Sequence, residues 1–163
     1  MGGLVALHLG ASGRPIDAIA TLGSPLWLEG LAGRASRWLG PGGGLHKQND
    51  TLPKLGGPDL GDPIERRQSP SLPVVPAAAL VELAALMNVV DDELDRIDAP
   101  LLVLHGGDDH TAPVGSAERI ATRARARRAR ILPRSRHVLS LDVDRETVAT
   151  ELGDFFEAHL PRA

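Results

Sequence analysis

Two short stretches carry side chains able to do acid–base chemistry. The first is His105-Gly106-Gly107-Asp108-Asp109-His110-Thr111-Ala112-Pro113, and the second is Ser135-Arg136-His137-Val138-Leu139. Free imidazole titrates near ~6.5, so His137 can take up or release a proton around neutral pH. A carboxylate on its far ring nitrogen would fix the tautomer and stabilise the imidazolium. Asp109 is the candidate for that carboxylate. A base held this way activates a serine hydroxyl, which is a weak nucleophile on its own. Each residue alone has a bland reading: a lone loop histidine is usually a surface residue, and an aspartate ahead of a proline usually shapes a turn. Asp108 competes with Asp109 and otherwise caps the turn. His110 supports the pair or stays exposed, and His105 closes a strand. No His-x-x-x-His or similar spacing argues for a metal. No cofactor is expected.

For the two stretches to meet, each must leave the same end of neighbouring strands. Leu101 to Leu104 is an all-apolar run behind Pro100, as expected for a strand buried on both faces. Ala129 to Leu132 is a second short strand. Between them Ala117, Ile120, Ala121 and Ala124 give a helix stripe. Asp109 and His137 lie 28 positions apart, enough for one helix and one strand. Val148, Leu152, Phe155, Phe156 and Leu160 mark a final amphipathic helix.

Upstream, Leu4 to Ala11 reads as a buried helix ending near Ser12-Gly13, where glycine suits the position past a helix end. Ile16 to Leu22 reads as a buried strand leaving into Gly23-Ser24-Pro25. Leu26 to Val75 is rich in Pro and Gly and reads as a cap or lid, largely loop and ordered only in part. Trp27, Leu28, Leu31, Trp38 and Leu39 would make one amphipathic helix inside it. Pro76 to Val90 is helical, with Leu80, Leu83, Met87 and Val90 on one stripe. The order strand, cap, helix, strand, helix, strand, helix predicts an α/β fold: a mostly parallel sheet flanked by helices. Three segments follow: 1–25, a helix and strand; 26–90, the cap and its connecting helix; 91–163, the core with both loops.

The bulk numbers agree with one such unit. The chain has 163 residues, is 42% hydrophobic and carries a net charge of −3. That balance does not favour nucleic acid or anionic lipid. Cysteine is absent, which excludes disulfides and thiol nucleophiles. No apolar run approaches the ~20 residues that span a bilayer, and Met1 to Leu9 lacks the basic leader and cleavage pattern of a secretory signal. A cytoplasmic protein is expected. Arginine outnumbers lysine sixteen to two, as in GC-rich genomes. Arg119, Arg123, Arg127, Arg130 and Arg134 recur at near-helical spacing, but without aromatic platforms they read as a solvated face rather than an RNA site. Nothing in the sequence sets an oligomeric state.

His105-Gly106 through Asp109 and Pro113 resembles the acid loop of the α/β-hydrolases, commonly His-Gly-x-x-Asp-x-x-Val-Pro. Ser135-Arg136-His137-Val138, running into Leu141-Asp142, resembles the base loop of their small carboxylesterase and monoacylglycerol-lipase branch. Met1-Gly2-Gly3-Leu4 resembles the end of a nucleophile elbow, Gly-x-Ser-Met-Gly-Gly. Triad order in that fold is Ser, Asp, His, which matches the order here. The resemblance implies a partial α/β-hydrolase fold with an inserted cap, and a small-molecule ester substrate cleaved through an acyl-serine intermediate. Asp109 and His137 would be catalytic, and the backbone N–H of Met1 an oxyanion donor. Trp27, Leu28, Leu31 and Trp38 would line an apolar acyl pocket. Gly2 and Gly3 would let the helix pack against the elbow turn.

One departure matters most. The nucleophile would stand one position before Met1, and no serine of the chain sits in Gly-x-Ser-x-Gly. The expectation is a C-terminal fragment, inactive alone and prone to aggregate through an exposed sheet edge. The alternative is a non-catalytic α/β module that binds a ligand or partner.

Overall fold

A computed structural model of the chain describes residues 1–28, 51–53, 57–70 and 72–160. Its centre is a parallel sheet of three strands, β1 (Ile19–Leu22), β4 (Leu101–Gly106) and β5 (Arg128–Leu132), in the order β1-β4-β5. Ile19 pairs with Leu101 and Leu102 with Arg128, so all three strands end on one rim.

β4 is buried along its whole length because both of its faces are covered. Leu101 and Val103 point to one side, toward α1 (Gly2–Ala11), α3 (Ala77–Glu93) and α4 (Val114–Arg123), where they join Leu4, Leu7, Met87, Val90 and Ile120. Leu102 and Leu104 point to the other, against α5 (Arg145–His159) through Val148 and Phe155. Period-two alternation in β4 thus makes three layers from one apolar run. The predicted stripe of α3 is correct in its lower half, since Met87 and Val90 are buried and Leu83 packs on the same cluster.

α1 is not buried all round, as its apolar sequence had implied. Leu4 and Leu7 are fully covered, whereas Met1, Val5 and Leu9 form an exposed stripe at successive four-residue steps. β1 has no strand on its outer edge among the described residues. The strand also starts later than read, at Ile19 rather than Ile16. β5 is an edge strand with only Leu132 buried, and Arg128 and Arg130 lie over Glu151 of α5.

The cap holds more regular structure than its composition promised. β2 (Thr51–Pro53) and β3 (Val74–Pro76) pair antiparallel, and α2 (Pro63–Gln68) lies between them. Asp62 caps α2, accepting from the amides of Ile64 and Glu65, with Pro63 in the first turn. Trp27 and Leu28 are not helical. Leu31, Trp38 and Leu39 lie outside the described residues.

Candidate active site

The three strand ends converge on one carboxylate–imidazole pair. β4 ends in Gly106, and its continuation is tied to the stretch after β5 by two backbone bonds, Gly107 N–H to Leu132 O (2.7 Å) and Asp108 N–H to Ser135 O (3.1 Å). This close approach requires glycine. A Cβ on Gly106 would meet the Arg136 carbonyl oxygen and lie 2.5 Å from that of Ser135, and one on Gly107 would lie 2.7 Å from Pro133 Cα.

Asp109 Oδ2 lies 3.0 Å from His137 Nδ1. Its other oxygen, Oδ1, accepts the amides of Thr111 (2.8 Å) and Ala112 (2.7 Å). The Asp109 side chain is buried, and that of His137 is about one-third exposed, at 31%. Burial pushes the Asp109 carboxyl up. Hydrogen bonds from His105, from His137 and from the Ala112 amide outweigh it and hold the group well below the ordinary carboxylate range. An ionised carboxylate only accepts, so Nδ1 of His137 must donate. In the neutral ring that leaves Nε2 as the nitrogen able to receive a proton.

β1 supplies the third wall. Gly23 leaves the strand at φ +58, with its amide on Leu104 O at 2.9 Å. A Cβ there would sit 3.2 Å from His137 Nδ1 and 3.5 Å from Asp109 Oδ2. Glycine suits both the left-handed backbone and the contact. The next residue, Ser24, is buried, and its hydroxyl occupies the space a side chain on Gly3 would need. Gly2 faces open space, whereas a Cβ on Gly3 would meet the Ser24 side chain. Met1 stands at the start of α1, its carbonyl accepting from Leu4 and Val5. The N-terminal end of α1 therefore reaches the rim through Gly3 and Ser24.

The other candidates separate. Asp108 turns away from His137 and pairs with Arg136 (2.9 Å). His110 is exposed and binds Asp59 of the cap through both its amide and its ring. Trp27 is 38% exposed, with its ring against Gly115 at the start of α4. Leu28 is partly buried and packs on the larger core cluster. Leu31 and Trp38 lie outside the described residues.

Two residues have roles at the site that the sequence did not reveal. His105 does more than close β4: its Nε2 donates to Ala112 O (3.0 Å) and lies 3.3 Å from Asp109 Oδ2. The His-x-x-x-Asp spacing of 105 and 109 was the available signal. Asp142 is fully buried and gathers backbone amides from both the cap and the His137 loop.

No protein-family model matches the chain. A thermostable monoacylglycerol lipase of Bacillus sp. (strain H-257) is 29% identical over 161 residues, covering 98% of this chain and 60% of that protein. Among solved structures, one from work on the metagenome-derived lipolytic enzymes LipS and LipT superposes with a TM-score of 0.80 at 22% identity, covering 98% of this chain and 62% of its own. A soluble variant of monoglyceride lipase from Saccharomyces cerevisiae superposes with a TM-score of 0.78 at 16% identity, covering 99% and 60%. The chain thus spans about 60% of the length of the relatives it matches. Over that share it has the α/β-hydrolase fold, mostly parallel sheet flanked by helices, and in sequence it resembles a monoacylglycerol lipase.

Proposed function

We propose that residues 1–163 are the acid- and base-bearing part of a serine carboxylic-ester hydrolase of the carboxylesterase or monoacylglycerol-lipase type. The observation that carries this is the 3.0 Å contact between the buried Asp109 carboxylate and Nδ1 of His137, at the carboxyl rim of the sheet. The similarity to a monoacylglycerol lipase supports the ester class.

In this mechanism His137 Nε2 takes the proton of a serine hydroxyl as its oxygen attacks the ester carbonyl. Asp109 stabilises the resulting imidazolium. His137 then gives that proton to the leaving alkoxide as the carbonyl reforms and the acyl-serine is left. Water repeats the sequence: His137 accepts its proton, the acid departs, and the serine is regenerated. The backbone N–H of Met1, at the positive end of α1, would hold the oxyanion. Trp27, Leu28, Leu31 and Trp38 would line the apolar acyl pocket in this proposal.

By its resemblance to an elbow, Met1-Gly2-Gly3 would put the nucleophile immediately before Met1, and no serine of the chain itself sits in an elbow motif. That absence would suit a non-catalytic module, but an ionised carboxylate satisfied by a histidine and two amides fits a working acid–base pair better. No helix among the described residues is long and apolar enough to cross a membrane. We assign the protein to the cytoplasm as part of the same proposal.

The test is turnover of a short-chain aryl ester. Residues 1–163 alone should give the buffer rate. The same residues behind a folded segment ending in Gly-x-Ser should turn over, and should be inactivated by a serine-directed organophosphonate. Serine-type turnover by 1–163 alone would contradict the proposal, as would a folded, elbow-bearing protein with none.

A further inference from the structure

We propose that Asp142 is a positioning residue: it clamps residues 59–62 of the cap onto the His137 loop and so sets the angle at which the imidazole meets Asp109. The proposal rests on His137 being the base, and it adds a role that neither the acid–base pair nor the sequence motifs supply.

A buried carboxylate is costly unless hydrogen bonds replace its water. Asp142 has no exposed surface. Its Oδ1 accepts the amides of Gly61 (2.9 Å), Asp62 (2.8 Å) and Val143 (2.8 Å), and its Oδ2 accepts those of Gly61 (3.0 Å) and Arg136 (2.7 Å). Burial raises the group, but these four amides prevail and keep it ionised below the usual range. The donors come from two stretches about 80 positions apart in sequence.

Their placement is specific to His137. Arg136, whose amide Asp142 holds, is the residue before it. Val138, the residue after it, donates its amide to Asp59 O at 3.3 Å. The same Asp59 uses its carboxylate to hold the His110 amide (2.8 Å) and the Thr111 hydroxyl (3.0 Å), directly after Asp109. Residues 59–62 therefore bracket the base on both sides and grip the acid loop at once. Leu60, fully buried, pins the strap between them. Gly61 fits because a Cβ there would lie 3.0 Å from Asp142 Oδ1.

Asparagine at 142 keeps the shape but offers one acceptor oxygen and an NH2 group where all four partners are donors. Whichever way the amide turns, one set of backbone donors is released. If Arg136 is freed, the base loop loses its anchor one residue from the imidazole. A displacement of ~1 Å at such a site can cost ~100-fold in rate.

The experiment uses residues 1–163 with nitrogen-15 in the histidine rings and backbone. It compares the native chain with Asp142→Asn and with Ile120→Ala, a core truncation in α4 used as a control. The readouts are the downfield proton on His137 Nδ1 and hydrogen exchange at the Gly61, Asp62, Arg136 and Val138 amides. Asp142→Asn should lose the His137 signal and exchange at Arg136, which bonds to Oδ2 alone, at least ~10-fold faster. Ile120→Ala should keep the signal despite lower stability. If Asp142→Asn does not fold, Gly61→Ala, which pushes the strap off an intact Asp142, should broaden or remove the signal. Full retention of the signal in the folded variant overturns the proposal. A native chain lacking the signal overturns the reading of His137 itself, which is a different result.

Discussion

In a protein that carries this chain behind a nucleophile elbow, Asp109→Asn is expected to lower kcat by about four orders of magnitude, with KM little changed. Asparagine can replace the carboxylate as acceptor for the Thr111 and Ala112 amides, so the loop keeps its shape. Its NH2 group then faces His137 Nδ1. That nitrogen must switch from donor to acceptor, which moves the ring proton to Nε2. An Nε2 already protonated cannot take the serine proton. His105 shares Oδ2 and meets the same reversal, but its bond to Ala112 O holds its ring in place. Steady-state kinetics on a short-chain aryl ester measure the effect, and a loss of less than about tenfold would mean that Asp109 does not orient the base.

Gly106→Ala should be as damaging for a different reason. The added methyl would meet the carbonyl oxygens of Arg136 and Ser135 and would sit 2.8 Å from Arg136 C, all backbone. Backbone cannot rotate away as a flexible side chain can. Overpacking of this kind costs about 3 kcal/mol at the upper end of its usual range. Relief requires the base loop to move off β4, which separates His137 from Asp109. Urea unfolding should show the lost stability. Activity of the folded, elbow-bearing variant should fall at least ~100-fold. Native stability together with native turnover would show that the two loops are not held by this approach.

These two residues also show how sequence and structure divided the work. The His105-to-Pro113 and Ser135-to-Val138 stretches were legible because function demands particular residue types in short, contiguous runs. β4 was legible because burial on both faces leaves no polar position in Leu101-Leu102-Val103-Leu104. The α3 stripe was legible because helical period and apolar residues coincide.

The short elements of the cap were missed for an equally physical reason. β2 and β3 are three residues each, and Pro53 and Pro76 sit at their ends, so no alternation had room to develop. α2 could have been found from Asp62-Pro63, a capping residue followed by a first-turn proline. Trp27 and Leu28 suggested a helix by spacing alone, but Leu28 is drawn into the core and Trp27 onto Gly115. Tertiary packing overrode the local pattern there. The role of Asp142 was invisible because its cap partners are about 80 residues away.

The arginine-rich stretch has a local explanation. Arg119 binds Asp91, Arg123 binds Asp91 and Asp95, Arg130 binds Glu151, and Arg134 binds Asp144. Exposed pairs of this kind add little stability each.

The most direct measurement is a ring nitrogen–proton spectrum of His137 in residues 1–163 at neutral pH. The account predicts a far-downfield proton on His137 Nδ1, facing Asp109 Oδ2, and predicts that Asp109→Ala erases that proton signal. A His137 ring that protonates chiefly at Nε2, or averages like free imidazole in the native chain, would contradict it.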